Sequence, residues 1–150
     1  VRVHHLRRKQ LVRRPLAEVF DFFSRSGNLQ QITPPWLRFE MRSPEPIEIR
    51  VGTEIEYRLR LHGIPLRWVS RIDQWQRDRM FVDRQLHGPY RLWLHRHEFN
   101  WVPGGTAVLD SVGYALPFGP LGELAGPAFV RRDLERIFDY RRAAVARLLE

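Results

Sequence analysis

The stretch TEIEYRLRLHGIPLRWVSRIDQWQ, residues 53–76, carries the pattern on which the fold turns. In its first half Ile55, Tyr57, Leu59 and Leu61 alternate with Glu54, Glu56, Arg58, Arg60 and His62. A period of two puts the apolar set on one face of a β-strand and the charged set on the other. Gly63-Ile64-Pro65 breaks the run, and LRWVSRIDQWQ reads as the antiparallel neighbour. Strands with one wet face belong to an antiparallel sheet that something covers on its dry side.

Downstream the alternation continues through MFVDRQLH, YRLWLHRHEFNWV and TAVLDSVGYAL, punctuated by Gly88-Pro89 and Pro103-Gly104-Gly105. These short breaks predict a meander. After the Gly/Pro-rich connection PFGPLGELAGP, the segment FVRRDLERIFDYRRAAVARLLE places Val130, Leu134, Ile137, Phe138, Val145, Leu148 and Leu149 at helical spacing. One amphipathic helix of about 20 residues is expected, roughly 30 Å long. Upstream, Val1 to Arg13 reads as a first strand ending at Arg14-Pro15. Pro15 suits the first turn of a helix over LAEVFDFFS, which stops near Ser26-Gly27. NLQQI gives a second short helix before Thr33-Pro34-Pro35. The order predicts an α+β architecture: a curved antiparallel sheet of six or seven strands wrapped around a long C-terminal helix, with two short helices after strand 1.

At 150 residues the chain is the size of one domain, 1–150, with a single sizeable core. It holds no apolar run of membrane-spanning length and no continuous apolar leader core, so a cytoplasmic protein is expected. The absence of cysteine removes thiolate metal sites and cysteine nucleophiles together. The formal net charge is +8, with Lys9 as the only lysine, but the arginines are scattered over separate segments. Scatter argues for a solvated outer sheet face and against a nucleic-acid surface.

Four strings, RPLAEVFDFFSRSGNLQQITPP (14–35), GTEIEYRLRLHGIPLRW (52–68), FVDRQLHGPYRLWLHRHEF (81–99) and DSVGYALPFGPLG (110–122), together with the terminal helix, resemble the START-like, or SRPBCC, superfamily. That superfamily includes lipid-transfer domains, birch-pollen-allergen-like proteins and bacterial polyketide cyclase/dehydrase-like proteins. The resemblance implies a helix-grip fold and a cavity between the sheet and the last helix that takes small hydrophobic or amphipathic molecules. The middle strings are similar to a bacterial subgroup found joined to sugar-epimerase-like domains and described as cell-division-inhibitor-like, which implies a regulatory interaction module as a further alternative. Within such a grip the apolar wall is expected from Ile55, Tyr57, Leu59, Trp93, Phe99, Tyr114, Leu134 and Phe138, with Trp68, Trp75 and Trp101 as further core or wall. Phe118-Gly119-Pro120-Leu121-Gly122 has two readings, a segment that shapes the cavity entrance or turn chemistry alone, and the second is preferred.

The polar part of the site comes from the strand Arg91 to Val102, where Trp93, His95, His97, Phe99 and Trp101 share a face. With a three-residue loop at 88–90, Asp83 lies opposite His95, Gln85 opposite Trp93 and Phe81 opposite His97. With a four-residue connection over 102–105, His97 faces Asp110, His95 faces Val112 and Trp93 faces Tyr114. Asp83–His95 and His97–Asp110 pairs follow, and Asp83, Gln85, His95, His97 and Asp110 form a polar band. Two histidines with one or two aspartates can ligate Zn²⁺ or Fe²⁺, yet no HExxH-like motif supports a metal, and none is assigned. An Asp-oriented histidine can serve as a general base or acid toward a carbonyl compound, so a cyclase- or dehydratase-like enzyme is the leading alternative. The reading adopted is binding or carriage of a small ligand, with the band orienting its polar end, no cofactor, and a monomeric or homodimeric protein.

Overall fold

The computed structural model describes residues 2–44, 47–118, 122–124 and 126–150. β1 (His4–Val12) leads through Arg14-Pro15 into helix α1 (Leu16–Phe23). Pro15 caps α1 in an extended conformation instead of standing in its first turn. The second short helix expected over NLQQI is a set of 3₁₀ turns, Ser26–Asn28 and Gln30–Ile32, followed by a third at Pro35–Leu37. A five-residue segment closed by Pro34 is too short to nucleate an α-helix.

The sheet then runs through β2 (Glu40–Met41), β3 (Glu54–Leu61), β4 (Ile64–Gln76), β5 (Met80–His87), β6 (Leu92–Val102) and β7 (Gly105–Ala115). Its order is β1-β7-β6-β5-β4-β3-β2, every neighbouring pair antiparallel. Irregularities in β4 at Val69/Ser70 and Ile72/Gln74 bend the sheet, as bulges do. The β3–β4 turn is His62-Gly63, with φ of 50° and 81°, a residue earlier than the sequence pattern suggests. Ile64 and Pro65 are already in the ladder. Pro65 is tolerated there because β5 joins β4 only from Val69 onward.

Helix α2 (Pro127–Leu149) lies across the sheet, burying Leu134, Phe138, Ala144, Val145 and Leu149. Polar bonds fasten it over the edge strand β1: Arg131 Nη1 donates to the His5 carbonyl (2.6 Å), Arg142 Nη1 to the Lys9 carbonyl (2.8 Å), and Arg14 Nε to the Leu149 carbonyl (2.5 Å). These contacts cover an edge that would otherwise present unpaired backbone groups. Leu148, expected inside, is 40% exposed.

Two apolar clusters make the core. One gathers Val12, Val19, Phe20, Phe99 and Val145 under α1 and the end of α2. The other gathers Leu6, Trp68, Trp93, Tyr114 and Phe138 toward the start of α2. On β6, Trp93 belongs to one cluster and Phe99 to the other, so the two histidines between them mark the seam. Trp101 continues the same alternation but is 70% exposed, because the strand there has run beyond the covering helices to its hairpin. Among the described residues no helix is long and apolar enough to cross a membrane.

Candidate functional site

The expected hairpin registers hold at the backbone where the strands pair, with Asp83 opposite His95, Phe81 opposite His97, His97 facing Asp110, His95 facing Val112 and Trp93 facing Tyr114; the expected Gln85–Trp93 pair is not formed, because the β5–β6 ladder ends at Arg84–Leu94. Side-chain pairing takes the diagonals instead. His95 Nε2 meets Asp110 Oδ1 at 2.7 Å, and His97 Nε2 meets Asp83 Oδ2 at 2.6 Å. An imidazole leans along the strand, so its far nitrogen overshoots a short aspartate directly opposite and reaches the neighbour two residues on. The Asp83–His95 and His97–Asp110 pairs read from register are thereby corrected to Asp83–His97 and His95–Asp110.

The two histidine rings stack on each other, centroids 3.6 Å apart, and Phe81 covers the outer face of His97 at 4.1 Å. Phe138 of α2 meets His95 edge-on at 5.6 Å. Burial, reinforced by the neighbouring His95, pushes the His97 pKa down to about 4 despite its bond to Asp83. The ring is therefore neutral at pH 7 and donates from Nε2. Its Nδ1 is buried without a partner among the described residues and lies 3.7 Å from Asp110 Oδ1. Burial raises both carboxyl pKa values, yet the His97 hydrogen bond at Asp83, and the Arg141 charge with the His95 bond at Asp110, outweigh it and hold both groups below the ordinary carboxylate range. Tyr57 is pushed up, first by burial and then by the charge of Asp83.

Donor atoms of Asp83, His95 and His97 lie within 4.8 Å of one another, near enough to consider a metal. The rings, however, are inclined by only 24°, so their in-plane lone pairs run side by side and do not converge. Ligation would require one ring to turn and a carboxylate to give up its hydrogen bond, and the arrangement is better suited to holding protons than a cation.

A cavity of about 210 Å³ opens between the sheet and α2 beside this cluster. Of the residues expected at the site, Ile55, Tyr57, Leu59, Trp93, Leu134 and Phe138 line it, as do Asp83, His95 and His97. Four do not. Gln85 turns back to bond the Tyr90 backbone through both ends of its amide, closing the β5–β6 connection. Phe99 packs into Phe20 and Phe23. Tyr114 is covered by His4, Tyr90 and Trp93, and Asp110 stands behind His95. Arg141, which periodicity alone does not single out, also lines the cavity, as do Trp68 and Ser70, whose side chains bond at 2.9 Å. The suggested entrance includes residues 119–121, which lie outside the described residues; the adjoining Phe118 is 81% exposed.

The family model described as polyketide cyclase/dehydrase and lipid transport matches residues 12–139. No curated protein matches the chain. Among solved structures it is similar to Ara h 8.0201, at 14% identity over 99% of this chain and 98% of that one, with a TM-score of 0.73. The Zhui aromatase/cyclase from a Streptomyces species aligns at 18% identity over 97% and 92% of the two chains, with a TM-score of 0.74. A nucleoside-diphosphate sugar epimerase from Corynebacterium glutamicum aligns at 24% identity and a TM-score of 0.64, over 95% of this chain but 28% of the epimerase.

Proposed function

Because the chain belongs to the polyketide cyclase/dehydrase and lipid-transport family, we propose that it binds and carries a small hydrophobic or amphipathic molecule between the sheet and α2. The observation that supports this most directly is the cavity itself, walled by aromatic and aliphatic side chains with polar groups on one flank. Apolar walls supply affinity by removing ligand surface from water, and the Asp83–His97 side fixes which end enters first. Titration with anilinonaphthalene sulfonate tests the reading, since Trp68 and Trp93 stand in the wall and report occupancy by their emission. Saturable binding of one equivalent is expected. Ile55→Phe, which fills the cavity from β3, should weaken it about tenfold without lowering Tm; unchanged affinity in that variant would put the dye elsewhere and sink the proposal.

The second reading, a cyclase- or dehydratase-like enzyme, draws on the Asp83–His97 pair. An imidazole oriented by a carboxylate at a cavity wall has the geometry of a general base for removing a proton next to a carbonyl, but a pKa of about 4 makes it a weak one, which ranks this reading second. His95→Gln with His97→Gln separates the two: an enzyme would lose turnover and keep its ligand, whereas a carrier would change its binding and have no turnover to lose.

A further inference from the structure

We infer that the cavity recognises amphipathic acids, with the guanidinium of Arg141 holding the ligand's anionic group. The inference rests on the ligand-binding reading above and adds the chemical class. Arg141 comes from the inward side of α2, lines the cavity, and has a side chain only 13% exposed. A charged side chain so largely covered by its surroundings is stabilised by acceptors. Among the described residues it has one hydrogen bond, Nη2 to Asp110 Oδ1 at 3.3 Å, and that oxygen already accepts from His95 at the shorter distance of 2.7 Å. The rest of its five-donor fork is uncommitted.

Neighbouring arginines differ. Arg131 and Arg142 on the same helix spend their donors on carbonyls of β1, and Arg8 reaches Asp139; all three fasten the helix to the sheet. Arg141 does not take part in that closure. Its guanidinium is instead set over the rings of Phe23 and Phe138, 5.1 and 5.7 Å from their centroids. Two aromatic faces fix its orientation before any ligand arrives, which reduces the ordering cost of binding. A planar fork preset in an apolar cavity fits a planar carboxylate bidentately, and the apolar wall demands a hydrocarbon or aromatic body behind it. Asp83 and Asp110 both stay ionised beside it, each with one oxygen held by His97 or His95, so they oppose an anion, and the preference rests on the donors that Arg141 does not give to Asp110. The overall charge of +8 favours the approach of anions.

Isothermal titration with naphthoate and with naphthamide, its uncharged counterpart, tests the inference. The protein should bind naphthoate tighter by about tenfold or more, the range of a charge-assisted hydrogen bond. Arg141→Met should bring naphthoate down to the naphthamide level while moving naphthamide less than about twofold, and Arg141→Lys should retain part of the preference. Equal binding of the two compounds by the unaltered protein, or a preference that survives Arg141→Met, overturns the inference and leaves cavity binding standing. Binding of neither compound overturns both. Should the Met variant fail to fold, as judged by far-ultraviolet circular dichroism, the ratio in the unaltered protein and the Lys variant decide.

Discussion

His97 is clamped between Phe81 and His95 and bonded to Asp83, so its proton inventory is tied to folding. Its folded pKa of about 4 lies below the ordinary 6.5, and the unfolded chain therefore takes up the proton first as pH falls. Stability linked to the neutral ring is complete above about pH 6.5 and is lost progressively down to pH 4, up to ~3 kcal/mol in all. Asp83 and Asp110, held below 3.8, lose their contributions only at still lower pH. Urea unfolding across this range should show the decline, and the Asp83→Asn/His97→Gln variant should flatten it; equal stability at pH 6.5 and 4.5 in the unaltered protein would refute the assignment. Double-mutant cycles check the diagonal pairing at the same scale. Asp83 with His97 should couple by about 1 kcal/mol or more, and Asp83 with the directly facing His95 by clearly less. The shared face of His95 and His97 was legible in the alternation of DRQLHGPYRLWLHRHEF and the backbone register followed once loop lengths were assumed, but which carboxylate each ring reaches depends on how the side chains lean, and no spacing rule reports that.

At the scale of elements, the β3–β4 hairpin shows what a local pattern encodes and where it misleads. Both turn residues, His62 and Gly63, have positive φ, the conformation that matches the twist of a two-residue hairpin. A Cβ at Gly63 would meet nothing within 4 Å, so substitution is penalised only through the backbone. Gly63→Ala should cost ~1–2 kcal/mol, and His62→Asn should recover a few tenths, measured by shifts in the urea midpoint. If Gly63→Ala is neutral, the turn does not have this geometry in solution. Pro65 drew the predicted turn one residue too far along, because proline punctuates most strands. Here it falls opposite Arg60 in a part of β4 whose other side is free of β5. The 3₁₀ turns after α1 escaped a periodicity reading for a related reason: Asn28 reaches back to the Phe22 carbonyl at the end of α1 and Thr33 bonds the Leu29 carbonyl, isolated contacts with no repeat to detect.

For the molecule as a whole, α2 ties the two core clusters together and roofs the cavity. Leu134→Ala and Phe138→Ala should each destabilise by ~2–5 kcal/mol, since both are buried against the sheet. Removing the exposed Arg8–Asp139 pair should cost less than ~1 kcal/mol; thermal or urea unfolding of the three variants would rank them, and the reverse order would mean that polar strapping, not packing, holds the helix. The amino-acid sequence by itself determined the strand alternation and the apolar stripe of the last helix, because each rests on a short-range period of side-chain direction, whereas the hairpin registers followed only from assumed loop lengths. Tertiary structure alone decided that Gln85, Phe99, Asp110 and Tyr114 leave the cavity wall, that the Asp–His pairs cross, and that Arg141 faces the ligand space. Those outcomes depend on sheet curvature and on where a helix some forty residues downstream comes to rest, and sidedness along one strand carries no information about either.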